Sequence, residues 1–228
     1  MDIFEELHQE VIACTRCPRL VEYRQWVART KRRMYREYDY WGRPLPGFGD
    51  PEARVLLVGL APAAHGGNRT GRMFTGDRSG DLLYGTLYKF GFANQPTSLH
   101  RNDGLTLKDV YITAAVRCAP PANKPLREEM LACRPYLLRE LRLLKRLRIA
   151  VALGKIAFDT YLAAYHELSS TWNNLPAPRP HFSHGATYAL PNGITLVASY
   201  HPSQQNTQTG RLTREMFEDI FATVRRLL

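Results

Sequence analysis

No window of this sequence approaches eighteen consecutive apolar residues, which excludes a membrane-spanning helix. The start, Met1-Asp2-Ile3-Phe4-Glu5-Glu6, lacks the basic and apolar stretches of a signal peptide, so the protein is expected in the cytosol. There is no Walker A motif and no G-x-G-x-x-G, which leaves nucleotide binding without support. Internal repeats and low-complexity tracts are absent as well. Acidic residues are scarce: 21 Asp and Glu stand against 31 Lys and Arg, a net charge of +10. That excess attracts polyanions through phosphate contacts and counterion release, which points to nucleic acid without separating DNA from RNA. Cysteines number only four, and in a cytosolic chain they are not expected to pair as disulfides.

What is present fits one domain spanning 1–228, long enough for a substantial core. Residues 3–13 read as a helix leading into Cys14-Thr15-Arg16-Cys17-Pro18, and 19–38 as a second, strongly basic helix. Pro and Gly break 40–49 into a loop. Four short apolar runs rich in β-branched residues follow, at 54–60, 109–116, 148–153 and 194–200. Such runs suit strands buried on both faces of a parallel sheet. Helical patterns at 79–92, 126–145 and 155–167 lie between them, and 211–227 comes after the last. The expectation is an α/β fold, a three-layer α/β/α sandwich with a central four-stranded, mainly parallel sheet. Ligands in such sheets bind at the carboxyl ends of the strands.

Three segments follow strands and carry chemistry. Gly59-Leu60-Ala61-Pro62-Ala63-Ala64-His65-Gly66-Gly67 is a small-residue turn whose backbone N–H groups can approach a planar or anionic ligand. A plain strand–helix loop fits it equally well. In Arg72-Met73-Phe74-Thr75-Gly76-Asp77-Arg78-Ser79-Gly80, Phe74 could stack on a base with Asp77 facing it. Taken alone, the simpler reading prevails, with Asp77 capping a helix and Phe74 in the core. Ser199-Tyr200-His201-Pro202-Ser203 sets His201 at a strand end, able to donate into a cleft, though a buried, satisfied histidine is equally consistent. The polar run 204–211 after it suits phosphates and base edges. Cys14-x2-Cys17 with Cys118 and Cys133 suits zinc or iron–sulfur, and spacing does not separate the two.

Together, the G-x-x-P turn at Gly59–Pro62, the Phe74-Thr75-Gly76 segment and His201-Pro202-Ser203 resemble the uracil-DNA glycosylase superfamily. With the cysteines, the sequence is similar to the branch called family 5, or uracil-DNA glycosylase B, from Cys14 to the Arg211 region. The resemblance implies a monofunctional DNA glycosylase of base excision repair, monomeric and nucleoid-associated. It would flip out uracil and other deaminated bases, such as hypoxanthine and modified uracils, and hydrolyse the N-glycosidic bond. It implies a 4Fe-4S cluster on Cys14, Cys17, Cys118 and Cys133, tying the N-terminal 1–50 segment to the segment after the second strand. The implied base pocket comprises Gly59, Ala61, Pro62, Ala63, His65, Phe74 and Gly76, with His201 donating towards uracil O2. Ser203, Asn206, Thr209 and Arg211 fall on the implied DNA-contacting loop.

Two positions depart from the superfamily pattern. Ala61 stands where its best-known branch has a water-activating Asp, and Ala114 where family 4 has a uracil-reading Asn. Asp77 is then the expected catalytic carboxylate, orienting water or stabilising the sugar cation, with His65 its rival. Asn123 is the expected remaining polar contact. The competing readings are a non-catalytic, zinc-containing nucleic-acid-binding protein and a nucleotide hydrolase, the latter lacking its phosphate motif.

Overall fold

The four apolar runs form the interior of one sheet in a computed structural model that describes residues 3–168 and 179–228. β2 (Val55–Gly59), β3 (Val110–Ala114), β4 (Ile149–Leu153) and β6 (Thr195–Ser199) pair in parallel, in the spatial order β3-β2-β4-β6. The sheet is six-stranded and mixed, which corrects the four strands expected. β1 (Phe48–Gly49) adds antiparallel to β3, and β5 (Thr187–Ala189) adds antiparallel to β6. Both edge strands are too short and too exposed to leave an apolar run in the sequence.

Side chains alternate along each interior strand and fill two cores. Val55, Leu57, Ile112, Val151 and Val197 pack with α4 (Arg78–Lys89) and α8 (Arg214–Leu227). Leu56, Val58, Ala152, Leu196 and Ala198 pack with α6 (Lys155–Leu168) on the other face. α1 (Ile3–Ile12) and α5 (Arg127–Leu143) lie against each other, joined by Leu7, Val11 and Tyr136. No helix among the described residues is long and apolar enough to cross a membrane.

Two further expectations change. The basic helix ends early: α2 spans Pro18–Thr30, and a single 3-10 turn follows at Arg33–Tyr35. Val27 is its last buried side chain, so nothing beyond it anchors a helical face against the core. The polar loop after β6 winds into α7 (Gln204–Gln208), because the Ser203 hydroxyl accepts the Asn206 N–H at 3.3 Å and caps it. Because the interior strands are parallel, Gly59, Ala114, Leu153 and Ser199 end them at one edge of the sheet.

Candidate active site

A cavity of about 510 Å³ opens at that edge, between the ends of β2, β3 and β6. Its walls include Gly59, Ala61, Pro62, Ala63, Phe74, Asp77, Ala114, Asn123 and His201, with Ser203 and Asn206 at the side of α7. The sequence signals of three distant segments therefore converge on one pocket.

Phe74 forms one wall in an unusual conformation. Its φ is 51°, a left-handed value that costs a bulky side chain free energy and is held only by its surroundings. The bracing is visible. Thr75 is buried, its hydroxyl 2.6 Å from Ser98 Oγ, and Arg72 Nε donates to it at 3.0 Å. Arg72 in turn makes a bidentate pair with Asp103 at 2.9 and 2.7 Å, and Tyr84 Oη donates to the Met73 carbonyl at 2.8 Å. Gly59 completes the fit: a Cβ there would stand 2.8–2.9 Å from the Phe74 ring. Gly59→Ala is accordingly expected to displace the ring, lowering kcat/KM at least tenfold and stability by about 1–3 kcal/mol. Steady-state kinetics beside thermal unfolding check this, and wild-type kinetics in the variant would refute it.

Asp77 is both a helix cap and a pocket wall. Its Oδ1 accepts the Gly80 N–H at 3.1 Å at the start of α4, while Oδ2 lies over Gly66, where a Cβ would clash. Burial raises its pKa, and the N–H groups of Gly80 and Ser79 oppose that rise only in part. Its carboxyl therefore holds its proton to higher pH than an exposed aspartate does.

His201 stands across from it, its ring centroid 5.8 Å from that of Phe74. Burial pushes its pKa down to about 4, so the imidazole is neutral at physiological pH. Asn206 Nδ2 donates to the His201 backbone carbonyl at 2.8 Å, which ties α7 to the strand end. Asn123 reaches the pocket from a 3-10 turn, with φ of 51° at Ala122 and 55° at Asn123. Asparagine tolerates that conformation well; alanine does so poorly.

Four other expected residues lie outside the pocket. His65 Nδ1 is 3.0 Å from the Tyr40 hydroxyl, and burial with Arg32 and Arg69 lowers its pKa. Gly76 lines the neighbouring cavity, Thr209 Oγ1 donates back to Gln205, and the Arg211 guanidinium sits 4.8 Å above the Tyr200 ring. Conversely, Met73, Arg78, Ser79 and Gln205 line the pocket without having been singled out in the sequence. The position of Ser79, in the first turn of the helix that Asp77 caps, was a signal that could have found it.

The four cysteines are free thiols drawn from α1's end, the N-cap of α2, the segment after β3 and α5. Cys118 and Cys133 are buried with Leu20 and Val116, and Cys17 packs against them. Burial, helped by neighbouring cysteines, pushes Cys118 up to about 12 and Cys17 up to about 11. Cys17, Cys118 and Cys133 share one apolar cluster, and Cys14 belongs to the neighbouring one. Cys14 packs against Tyr136 beside the neighbouring apolar cluster of Leu7 and Val11. Among the described residues, no group of three or more His, Cys, Asp or Glu side chains is set to hold a metal ion.

Residues 46–225 match the family model of the uracil DNA glycosylase superfamily. The chain is 53% identical to the type-5 uracil-DNA glycosylase of Thermus thermophilus, over 98% of this chain and 97% of that one. It is 48% identical to the type-5 enzyme of Mycobacterium leprae, over 97% and 94% of the two chains. Identity to the type-5 enzyme of Pyrobaculum aerophilum is 45%, over 95% and 90%.

Proposed function

This chain belongs to the uracil DNA glycosylase superfamily, and from that premise we propose that the pocket at the carboxyl ends of β2, β3 and β6 receives a uracil flipped out of DNA. The protein is a uracil-DNA glycosylase, a hydrolase acting on the N-glycosyl bond of DNA. In that reaction the bond to C1′ breaks with its electron pair leaving on the base. Water then adds to the sugar cation and loses a proton. The observation that carries the assignment is a neutral His201 facing the Phe74 ring inside the pocket. Phe74 stacks on the base, and His201 donates a hydrogen bond to the oxygen where the leaving base gathers charge. Asp77 orients the water or stabilises the cation.

These roles set a pH dependence. Burial disfavours charge, so it raises the Asp77 pKa and lowers that of His201 to about 4. Single-turnover excision should therefore rise with pH through a value above the ordinary aspartate range near ~4. It should show no break near ~6.5, because His201 has already lost its proton there. Asp77→Asn should remove the rising limb. A break near 6.5 that disappears in a His201 variant would contradict this account.

The substrate range extends beyond uracil in this reading, to hypoxanthine and other deaminated bases. Its support is that Ala61 and Ala114 both line the pocket, so neither offers a side-chain amide or carboxylate to read a base edge. Duplexes carrying uracil, hypoxanthine or a modified uracil opposite each base, followed by alkali, test it. Cleavage at uracil and at hypoxanthine is expected. Cleavage at uracil alone would confine the range, and none at all would overturn the assignment.

Cys14, Cys17, Cys118 and Cys133 would hold a 4Fe-4S cluster, whose contribution is structural, joining α1 and α2 to α5 and the segment after β3. The support is the donor set itself: two buried and two half-buried thiols, among which Cys17 and Cys118 are pushed up by burial and by neighbouring cysteines, a penalty a cationic cluster reverses. Purified protein should be brown, with about four irons per chain, the number in a [4Fe–4S] cluster. A colourless protein holding zinc would overturn this. We place the enzyme as a monomer on DNA.

A further inference from the structure

Arg24 stands where the pattern of α2 calls for an apolar residue. The buried stripe of that helix runs Leu20, Arg24, Val27, in line with Cys17 at the N-cap. Leu20, one turn before Arg24, belongs to the same packed cluster as Cys118 and Cys133. Arg24 itself is only 4% exposed. Its Nη1 donates to the Gly42 carbonyl and its Nη2 to the Cys14 carbonyl at 3.4 Å, while Nε has no hydrogen-bond partner among the described residues. The guanidinium is thus bonded to neutral backbone and to no carboxylate.

A guanidinium cannot shed its charge by losing a proton, so burying one without a counter-charge is costly. The other buried arginines are provided for. Arg117, directly before Cys118, pairs with Glu140, and Arg72 pairs with Asp103. Arg69 lies over the Tyr35 and Tyr38 rings. Among the described residues Arg24 has neither a carboxylate nor a ring. What it has is cysteine: it donates to the backbone of Cys14, and its charge works against the burial that raises the Cys118 thiol. Four thiolates around an iron–sulfur core carry more negative charge than the core carries positive, which leaves a net anion in the interior. The orphaned cation and that anion each supply what the other lacks.

We propose that Arg24 is the counter-cation of the cysteine site: the thiolates with their cluster balance its buried charge, and Arg24 in turn retains the cluster and raises its reduction potential. This rests on the reading that Cys14, Cys17, Cys118 and Cys133 hold a 4Fe-4S cluster. The potential rises because a fixed positive charge favours the state that has gained an electron, the more negative of the two. Arg24 is a positioning residue and touches none of the base pocket's walls. Arg16, also beside the cysteines, is exposed, so water screens its charge.

The test compares the purified, metal-loaded protein with Arg24→Gln, which keeps N–H donors without the charge, and Arg24→Lys, which keeps the charge without the fork. Arg16→Gln is the exposed control. Release of iron to a chelator is followed by the loss of brown colour, and the midpoint potential is read by protein-film voltammetry. Arg24→Gln should release iron about tenfold faster, the scale of losing an outer partner of a metal site, and its potential should move negative. Arg24→Lys and Arg16→Gln should stay close to wild type in both. If Arg24→Gln does not fold, Arg24→Lys decides alone: a wild-type potential and slow release support the counter-cation, and fast release overturns it. Equal iron loss from Arg24→Gln and Arg24→Lys at an unchanged potential would reduce Arg24 to its bonds with the two carbonyls and overturn the proposal. A colourless wild type holding zinc would sink the cluster reading instead. Zinc release that is fast in Arg24→Gln and slow in Arg24→Lys would then still support the counter-cation, and equal release would overturn it.

Discussion

Replacing His201 by alanine should slow single-turnover release of uracil about 10²–10³-fold, while the Kd for the same DNA changes far less. The reasoning starts from the leaving group. A base departing as an anion is stabilised by a donor that is already in place, because no free energy is then spent on reorganising it during the reaction. His201 is in place: its carbonyl is bonded by Asn206 at 2.8 Å and its ring faces Phe74. It is neutral, because burial makes the imidazolium unfavourable above about pH 4. It still has a ring N–H to give. His201→Gln keeps an N–H donor and should recover part of the loss. Asn206→Ala leaves the imidazole present on a strand end no longer tied to α7, and should cost about tenfold, since small misplacements in a positioned site are expensive. Rapid-quench kinetics with enzyme in excess separate this from binding. A variant that bound DNA weakly yet released uracil at the normal rate once bound would remove His201 from the chemical step.

How much of this was legible in the sequence depends on how local each cause is. The interior strands were legible because Val55-Leu56-Leu57-Val58 and its three counterparts are buried on both faces, which demands continuous apolar runs. β1 and β5 were not, since two or three half-exposed residues at a sheet edge carry no such demand. The pocket's main residues were legible because parallel topology brings the loops after β2, β3 and β6 to one edge. Asp77 posed a choice between cap and pocket residue, and in three dimensions it is both. The conformation of Phe74 had no local signal. It is imposed by Ser98 and Asp103, more than twenty residues away, acting through Arg72 and Thr75. His65 likewise turns to Tyr40, twenty-five residues earlier in the chain. Contacts of that kind write no periodicity.

The largest loss of stability is expected at a buried ion pair that neither periodicity nor motif announced. Arg117 Nη2 donates to Glu140 Oε2 at 2.5 Å, and each side chain is 1% exposed. Thr113 Oγ1 donates to the same carboxylate at 2.6 Å, and Tyr111 Oη to its other oxygen at 3.4 Å. Tyr111 reaches on to His8 at 2.9 Å, so the network joins β3, α5 and α1. Burial works against the charge on Arg117, and the nearby Glu140 outweighs it, holding the pKa above that of a free arginine. Among the described residues its Nε and Nη1 have no hydrogen-bond partner, and Glu140 is its counterion. Glu140→Ala then strands a buried cation and should cost about 3–5 kcal/mol. For a domain of this length that is a fall in Tm of roughly 6–20 °C. Arg117 directly precedes Cys118, so the disturbance should extend to the cysteine-bearing segment after β3. The sign of the double variant is the stronger check. Arg117→Met with Glu140→Leu removes both charges and should recover most of the stability, because a desolvated pair gains little over apolar packing of similar volume. Denaturant unfolding of the three proteins decides it. A single variant losing less than about 1 kcal/mol, the scale of an exposed ion pair, would mean the carboxylate is not the counterion, and a double variant no better than the single would mean the pair is held for its geometry rather than its charge.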